Sequence, residues 1–316
     1  MKRAKINSVL NKIPLHAITI LILIIWIVPT LGLLITSFRP VSAINTSGWW
    51  TFLSAPEGDT PRFTLDNYID SLVGYRGNHT YREDCAAGTQ SLDLHCNISD
   101  LLNPRGMGRA FVNSLLVTLP ATVLPILFAS FAGYAFAWLD FKGRYLLFAL
   151  LVGLQVVPLQ MTLVPVLRIY AKLGLNGTFW GVWLFHTGFG MPYAIYLMRN
   201  FLGSLPKDLF ESAYLDGASH WTAFRKLAIP LAMPAIASLT IFQFLWVWND
   251  LLVSLVFLGG TKPVMTYQIS NMVTSLGAGW HLLTAAAFLS MLLPMIIFFA
   301  LQRFFVRGML AGAVKG

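Results

Sequence analysis

The sequence predicts an all-α integral membrane protein of six transmembrane helices, and three observations carry that prediction. Of its 316 residues, 56% are hydrophobic and only 11% charged. Soluble domains carry about 25% charged residues, so this chain lacks the polar atoms to cover a surface facing water. Apolar runs recur along it, each with the length needed to cross a hydrocarbon layer of roughly 30 Å. The charges alternate in sign from side to side. The N-terminus, the turn at 139–144, the stretch 199–230 and the tail from Arg303 together hold 13 basic and 4 acidic residues, whereas Arg39 to Arg109 holds 6 basic and 8 acidic. A Lys/Arg excess marks the cytoplasmic side of a membrane protein, which places both termini in the cytoplasm. That bias accounts for the net charge of +9 without a polyanionic partner, so no nucleic acid is expected.

Taken in order, residues 1–14 form a short basic cytoplasmic N-terminus and 15–38 the first span. The apolar run of that span exceeds the roughly 7–15 residues of a cleavable signal core. Residues 39–109 form a long extracytoplasmic loop. Trp49, Trp50, Phe52 and Tyr68 suit packing at an interfacial aromatic belt, and 74–104 reads as a polar, Gly-rich insertion. Cys85 and Cys96 lie in that insertion, in an oxidising compartment where a disulfide between them and two free thiols are both open. Asn78-His-Thr and Asn97-Ile-Ser match the glycosylation sequon, which carries no meaning if the source is bacterial. Residues 110–305 hold five further spans, at about Ala110–Trp138, Tyr145–Tyr170, Phe179–Asn200, Pro234–Leu258 and Leu282–Phe305. Pro and Gly inside them are tolerated where neighbouring helices satisfy the backbone. A cytoplasmic tail, 306–316, ends the chain, small and flexible from Ala311 to Gly316.

Between the fourth and fifth spans lies Glu211–Pro230, too polar for its surroundings. Gly217 suits a left-handed helix end, and Ser219 is placed to cap a second short helix through Trp221 and Phe224. Pro230 is expected to close the unit, because it cannot donate to a helical ladder. So polar a helix–turn–helix among spans points to a docking partner.

The chemistry-bearing patterns exclude enzyme classes. No Gly-x-x-x-x-Gly-Lys-[Ser/Thr] loop occurs, no His/Cys/Asp/Glu set has metal-ligand spacing, and no Ser/His/Asp set suggests hydrolysis. Ionisable groups within spans are few: Asp250, with Asn249 beside it, is a candidate for lining a polar pathway. Outward snorkelling or structural pairing of Asp250 stands equally open, and His186 reads as a packed, hydrogen-bonded residue. A proton- or ion-coupled mechanism lacks its usual groups.

The stretch Glu211-Ser-Ala213, then Gly217, then Leu227-Ala-Ile229-Pro230 resembles the E-A-A-x-x-x-G-x(9)-I-x-L-P pattern of the permease subunits of ABC importers. Ser212 stands where Ala is usual, and Leu227 and Ile229 are aliphatic exchanges; the spacing of the Gly and Pro is kept. Asp216-Gly-Ala-Ser219, Trp248-Asn-Asp250, Gln302-Arg-Phe-Phe-Val-Arg-Gly308, Ala311-Gly312 and Val314-Lys315-Gly316 resemble the carbohydrate-uptake branch, most of all the maltose-type second permease. The resemblance covers roughly the whole chain except 74–104.

It implies a MetI-like permease fold in a bacterial inner membrane, and a function in importing a sugar, such as an oligosaccharide of the α-glucoside type. Residues 204–230 then become coupling helices. Leu209, Glu211, Ser212, Ala213, Asp216, Gly217, Ala218 and Pro230 would dock on a cytoplasmic ATPase dimer, with Leu205 and Leu215 adding apolar contact. ATP and Mg would be bound by that partner, leaving this chain without a cofactor. A second, homologous permease would complete a heterodimer. The loop Gly259–His281, through Gly277, Gly279 and Trp280, would face an extracytoplasmic sugar-binding protein. A permease for a polyol or glycerol-phosphate, and a receptor or assembly protein using its outer loop, are the competing readings; an amphipathic helix lying on membrane lipid is the competing one for 204–230.

Overall fold

The structure is a computed structural model that describes residues 13–53, 62–76, 79–88, 95–272 and 279–313, with side chains to residue 303. Every regular element among the described residues is helical. The chain divides into two compact units: residues 1–107 with 271–289, and residues 108–270 with 290–316.

The first unit begins with α1 (Ile13–Phe38). Helix ends leave carbonyls without intrahelical partners, and the residues after α1 supply them. Asn67 donates its side-chain amide to the carbonyls of Ser37 and Arg39 at 2.9 and 2.8 Å. The Arg39 guanidinium folds back on the carbonyls of Ala43 and Ser47, tying down α2 (Val41–Thr46). Trp49 lies against Gly32, where an added Cβ would stand 2.8 Å from the indole nitrogen.

The loop expected over 39–109 is thus largely built structure, continued by α3 (Asp66–Val73) and α4 (Tyr81–Ala86). The 74–104 insertion starts and ends at one point. Gly74, at φ +78°, and Gly106 sit where a Cβ would meet the backbone of Arg105 and of Leu72, respectively. Within it Cys85 and Cys96 form a disulfide. Asp100 accepts from the Tyr81 hydroxyl at 2.7 Å and from the His95 amide, and Thr80 with Glu83 closes a capping box on α4.

The second unit carries the remaining helices. They are α5 (Met107–Trp138), α6 (Arg144–Gly153), α7 (Leu159–Leu173), α8 (Phe179–Gly203) and α9 (Lys207–Leu215). Then come α10 (His220–Ala223), α11 (Ile229–Trp248), α12 (Leu252–Phe257), α13 (Met265–Ser270) and α14 (Trp280–Ala313), whose first residues belong to the other unit. Small residues let the helices approach, as apolar side chains alone give no drive for association in lipid. A Cβ on Gly133 of α5 would stand 2.7 Å from the Met198 Cβ of α8. Gly190 of α8 makes room for Gln243 of α11, whose amide donates to the Ala121 carbonyl at 3.1 Å. Two apolar cores result. One gathers Tyr134, Met198, Leu202, Phe210, Phe224 and Ala232; the other gathers Val117, Val182, Phe185, Val247 and Phe257.

Among the described residues, four helices are long and apolar enough by themselves to cross a membrane: Pro14–Phe38, Met107–Trp138, His220–Trp248 and Trp280–Arg303. Arg144–Val156 and Leu159–Leu173, bent by 100°, make a fifth when taken as one span. The expected third span is therefore a broken helix. The expected fourth is α8, which has the length, but Gly181, His186, Thr187, Gly188 and Gly190 leave it less apolar than the others. The fifth starts earlier than expected, because Pro230 does not end a helix, and it stops at Trp248, before the separate helix α12. A π-turn over Phe224–Ala228 carries His220–Ala223 straight into α11. Pro230 lacks the N–H that would bond to Lys226, and the wider turn accommodates that loss. The backbone of α14 continues as helix to Ala313.

Candidate functional site: a docking turn and a bend cavity

The helix–turn–helix between α8 and α11 is anchored from one side and open on the other. From α9, Phe210 is fully buried and stacks on Trp138 of α5 at 3.9 Å between ring centroids. One turn on, the Tyr214 hydroxyl lies 3.0 Å from the Tyr134 hydroxyl and 3.1 Å from His220 Nδ1. Tyr134 also reaches the His220 carbonyl at 3.3 Å. Phe131, Trp221 and Phe224 stack alongside. Residues at i and i+4 share a helix face, so Phe210 and Tyr214 turn inward together while Leu209 and Glu211 turn away.

The turn itself is locally determined. The amides of Gly217 and Ala218 donate to the carbonyls of Tyr214 and Ala213 at 3.0 and 2.9 Å. This is the paired bonding of a Schellman helix end, which needs a left-handed residue; Gly217 supplies it at φ +84°. No atom lies within 4 Å of where its Cβ would stand, so within this chain the glycine serves conformation and not close approach. Ser219 then caps α10 by accepting from the Thr222 amide at 3.2 Å. Exposed on the outer face are Leu209, Glu211, Ser212, Leu215, Asp216, Gly217 and Trp221, with Ala213 and Ala218 half-buried beside them. Leu215 is 90% exposed and Trp221 59%, a large apolar surface for so polar a segment. Two residues fall elsewhere. Pro230 is exposed in the first turn of α11, and Leu205 packs half-buried into the inner core.

Asp250 and His186 form a second locus. The Asp250 carboxylate accepts from the amides of Val253 and Ser254 at 3.0 and 3.2 Å, closing the start of α12. His186 is 0% exposed, its Nε2 lies 3.8 Å from that carboxylate, and neither ring nitrogen has a hydrogen-bond partner. The Asn249 amide bonds back to Leu245. This geometry holds Asp250 as a helix cap. Gly279, at φ +94°, and the exposed Trp280 open α14; Gly277 lies outside the described residues.

Sequence reasoning missed a cavity. Where α6 meets α7, a space of about 360 Å³ is lined by Leu154, Gln155, Val157, Gly188, Phe189, Pro192 and Tyr193. It also missed the Phe210/Tyr214 anchor, whose signal was two aromatics four apart in a short polar helix. Among the described residues no three His, Cys, Asp or Glu side chains are grouped to hold a metal.

Comparisons with known proteins agree on one lineage. Residues 112–311 match the family model of the binding-protein-dependent transport system inner membrane component. The chain is 53% identical to the osmoprotective compounds uptake permease protein GgtD of Synechocystis sp., over 96% of this chain and 93% of that protein. It is 40% identical to the alpha-glucoside transport system permease protein AglG of Rhizobium meliloti, over 95% and 96%. With the melibiose/raffinose/stachyose import permease protein MelC of Bacillus subtilis it shares 31%, over 70% and 80%. Among solved structures, a chain of a bacterial ABC transporter involved in the import of the acidic polysaccharide alginate superposes with a TM-score of 0.63. It covers 96% of this chain and 98% of its own, at 17% identity, which shows a shared fold.

Proposed function

Because the chain belongs to the family of binding-protein-dependent transport system inner membrane components, a multi-pass membrane transport subunit, we propose that it is the permease of an ATP-driven sugar importer that couples to a separate ATPase. The observation that carries the coupling role is the turn at 207–223. It presents Leu209, Leu215 and Trp221 beside Glu211 and Asp216 on one side while Phe210 and Tyr214 lock it to α5 on the other. Apolar side chains this exposed next to charges suit a groove in a protein partner. The rigid mount converts movement of that partner into movement of α5 and α11. ATP and Mg belong to that partner, with both termini on its side of the membrane as the Lys/Arg distribution requires. A second, homologous permease covers the apolar faces that this chain leaves open, and an extracytoplasmic binding protein delivers the solute.

The name of one relative favours an uncharged solute of the α-glucoside class, and that of another an uncharged oligosaccharide. A small polyol-like osmoprotectant is the second reading, favoured by the relative at 53% identity. Affinity purification of the full chain from bacterial membranes tests the proposal. It should bring down an ATPase and a second permease, and the complex should hydrolyse ATP faster when sugar-loaded binding protein is added. Purification without an ATPase, or hydrolysis indifferent to the binding protein, overturns it. Glu211→Lys should weaken ATPase association without loss of the folded chain.

A further inference from the structure

We propose that the cavity at the bend between α6 and α7 is a binding subsite for one uncharged pyranose ring of the solute, built by this chain itself. The proposal rests on the importer reading above and names the ligand chemistry of one place along its pathway.

The first argument is the backbone. After Gly153 the helix tightens into a single 3₁₀ turn, Leu154–Val156, and the Val157 amide donates only to Leu154, at 3.2 Å. Val157 is extended, with ψ 115°, as a residue before proline prefers, and Pro158 has no N–H to donate. Unsatisfied backbone groups cost several kcal/mol in hydrocarbon, so irregular backbone at membrane depth persists only where protein covers it or it lines a water-filled space. This chain does not cover it: Val156 is 82% exposed, and Leu154 and Val157 are exposed as well. The bend opens instead onto the cavity. In secondary transporters, discontinuous helices form the substrate sites; here the broken helix faces α8, which contributes Gly188 and Pro192 to the lining.

The second argument is the lining. About 360 Å³ lies near the lower end of small-molecule sites, roughly 300–1,000 Å³, and suits a single ring better than a whole oligosaccharide. A pyranose has two faces of C–H groups and a rim of hydroxyls. Phe189 and Tyr193 offer ring surface to the faces. The Gln155 amide, which both donates and accepts, and the Tyr193 hydroxyl offer partners to the rim. No Asp, Glu, Lys, Arg or His lines the space. A carboxylate or phosphate on the solute would find no counter-charge here, and an unpaired charge in such surroundings is costly. The site selects against acidic sugars and sugar phosphates.

Gly188 gives the cleanest test. It is exposed, in ordinary helical conformation, and nothing lies within 4 Å of where its Cβ would stand. A side chain at Gly188 therefore meets no clash at its Cβ, and Gly188→Leu carries apolar bulk toward the cavity that Gly188 lines. The complete importer, with its second permease, ATPase and binding protein, is reconstituted in vesicles, and uptake of sucrose, trehalose, maltose, sorbitol and glucuronate is measured. The best neutral substrate should be taken up by wild type in preference to glucuronate. Gly188→Leu, Tyr193→Leu and Gln155→Glu should each cut its uptake by about tenfold or more. The amount of co-purifying ATPase, and the binding-protein concentration that half-maximally stimulates hydrolysis, should stay at wild-type values, which a purely structural fault would not allow. If Gly188→Leu fails to assemble, Tyr193→Leu decides. Uptake within twofold of wild type in the assembled variants, or a wild-type preference for glucuronate, overturns the subsite and leaves the importer intact. A wild-type complex that takes up none of the five and hydrolyses ATP regardless of binding protein removes both.

Discussion

Two interruptions of helix do different work in this chain. At Asp216–Ser219 the break is closed: the Schellman pair satisfies the last amides of the turn, Ser219 caps the next helix, and Phe210 with Tyr214 fastens the whole to α5. At Gly153–Pro158 the break is open, with one 3₁₀ bond, an extended residue and no side-chain cap on either side. A closed break suits the force transmission proposed for the turn, because it cannot yield. An open break leaves polar backbone facing a space, which suits the subsite proposed there. The difference follows from surroundings. The first stands at the edge of the bundle among polar residues that can supply partners; the second lies inside an apolar run that has none.

Substitutions can break or sharpen that contrast. The largest effect is expected from Gly217→Pro. Proline is held near φ −65°, and Gly217 sits at +84°, so the turn cannot form. ATPase association by co-purification and ATP-dependent uptake should both be lost. Gly217→Ala keeps the chain able to reach the conformation at about 1–2 kcal/mol, with no contact to offend, and should retain most of both. Equal damage from Ala and Pro would mean that the glycine serves a close contact with the partner, not the turn.

Next comes the anchor. Phe210→Ala removes a fully buried ring and should lower stability by about 3–5 kcal/mol, read as a fall in the thermal unfolding midpoint in detergent. A change smaller than that of a surface substitution would show that the turn stands without its mount.

Pro158→Ala addresses the open break. It restores a donor and removes the clash with the preceding turn, favouring a continuous helix by up to about 3 kcal/mol. Spin labels on cysteines placed at Leu150 and Ile169, both exposed, should move apart as the 100° bend straightens. The native Cys85 and Cys96 are paired and leave the labelling chemistry clear. An unchanged distance would assign the bend to packing against α8 instead.

The smallest effect belongs to Ser219→Ala. Loss of the cap on α10 should cost about 1 kcal/mol, seen as a modest drop in unfolding temperature with docking preserved. If docking failed as badly as in Gly217→Pro, the serine would be a contact residue.

Much of the closed break was legible because its signals are local. Gly217 and Ser219 act through their own backbone and through residues three to five positions away, and the spacing of Glu211, Gly217 and Pro230 carried the family resemblance. The open break was not legible. Pro120, Pro125, Pro165, Pro192, Pro234 and Pro294 all sit inside continuous helices, so a proline in an apolar run does not announce a bend; Pro158 differs by what surrounds it. Pro230 misled in the other direction, since a π-turn absorbed the bond that it cannot make. Asp250 was read as open between pathway and packing, and only the fold shows that its carboxylate caps α12 through the amides of Val253 and Ser254.

By itself the sequence determined the class of the molecule, the apolar helices, the polar turn and the family, because composition, charge bias and short-range backbone preferences are properties of neighbouring residues. The tertiary structure decided which helix breaks, that the 74–104 insertion closes on itself, which face of the turn is anchored, and where a cavity opens. Those outcomes depend on contacts between residues such as Phe210 and Trp138, or Gly190 and Gln243, whose separation along the chain hides them until it is folded.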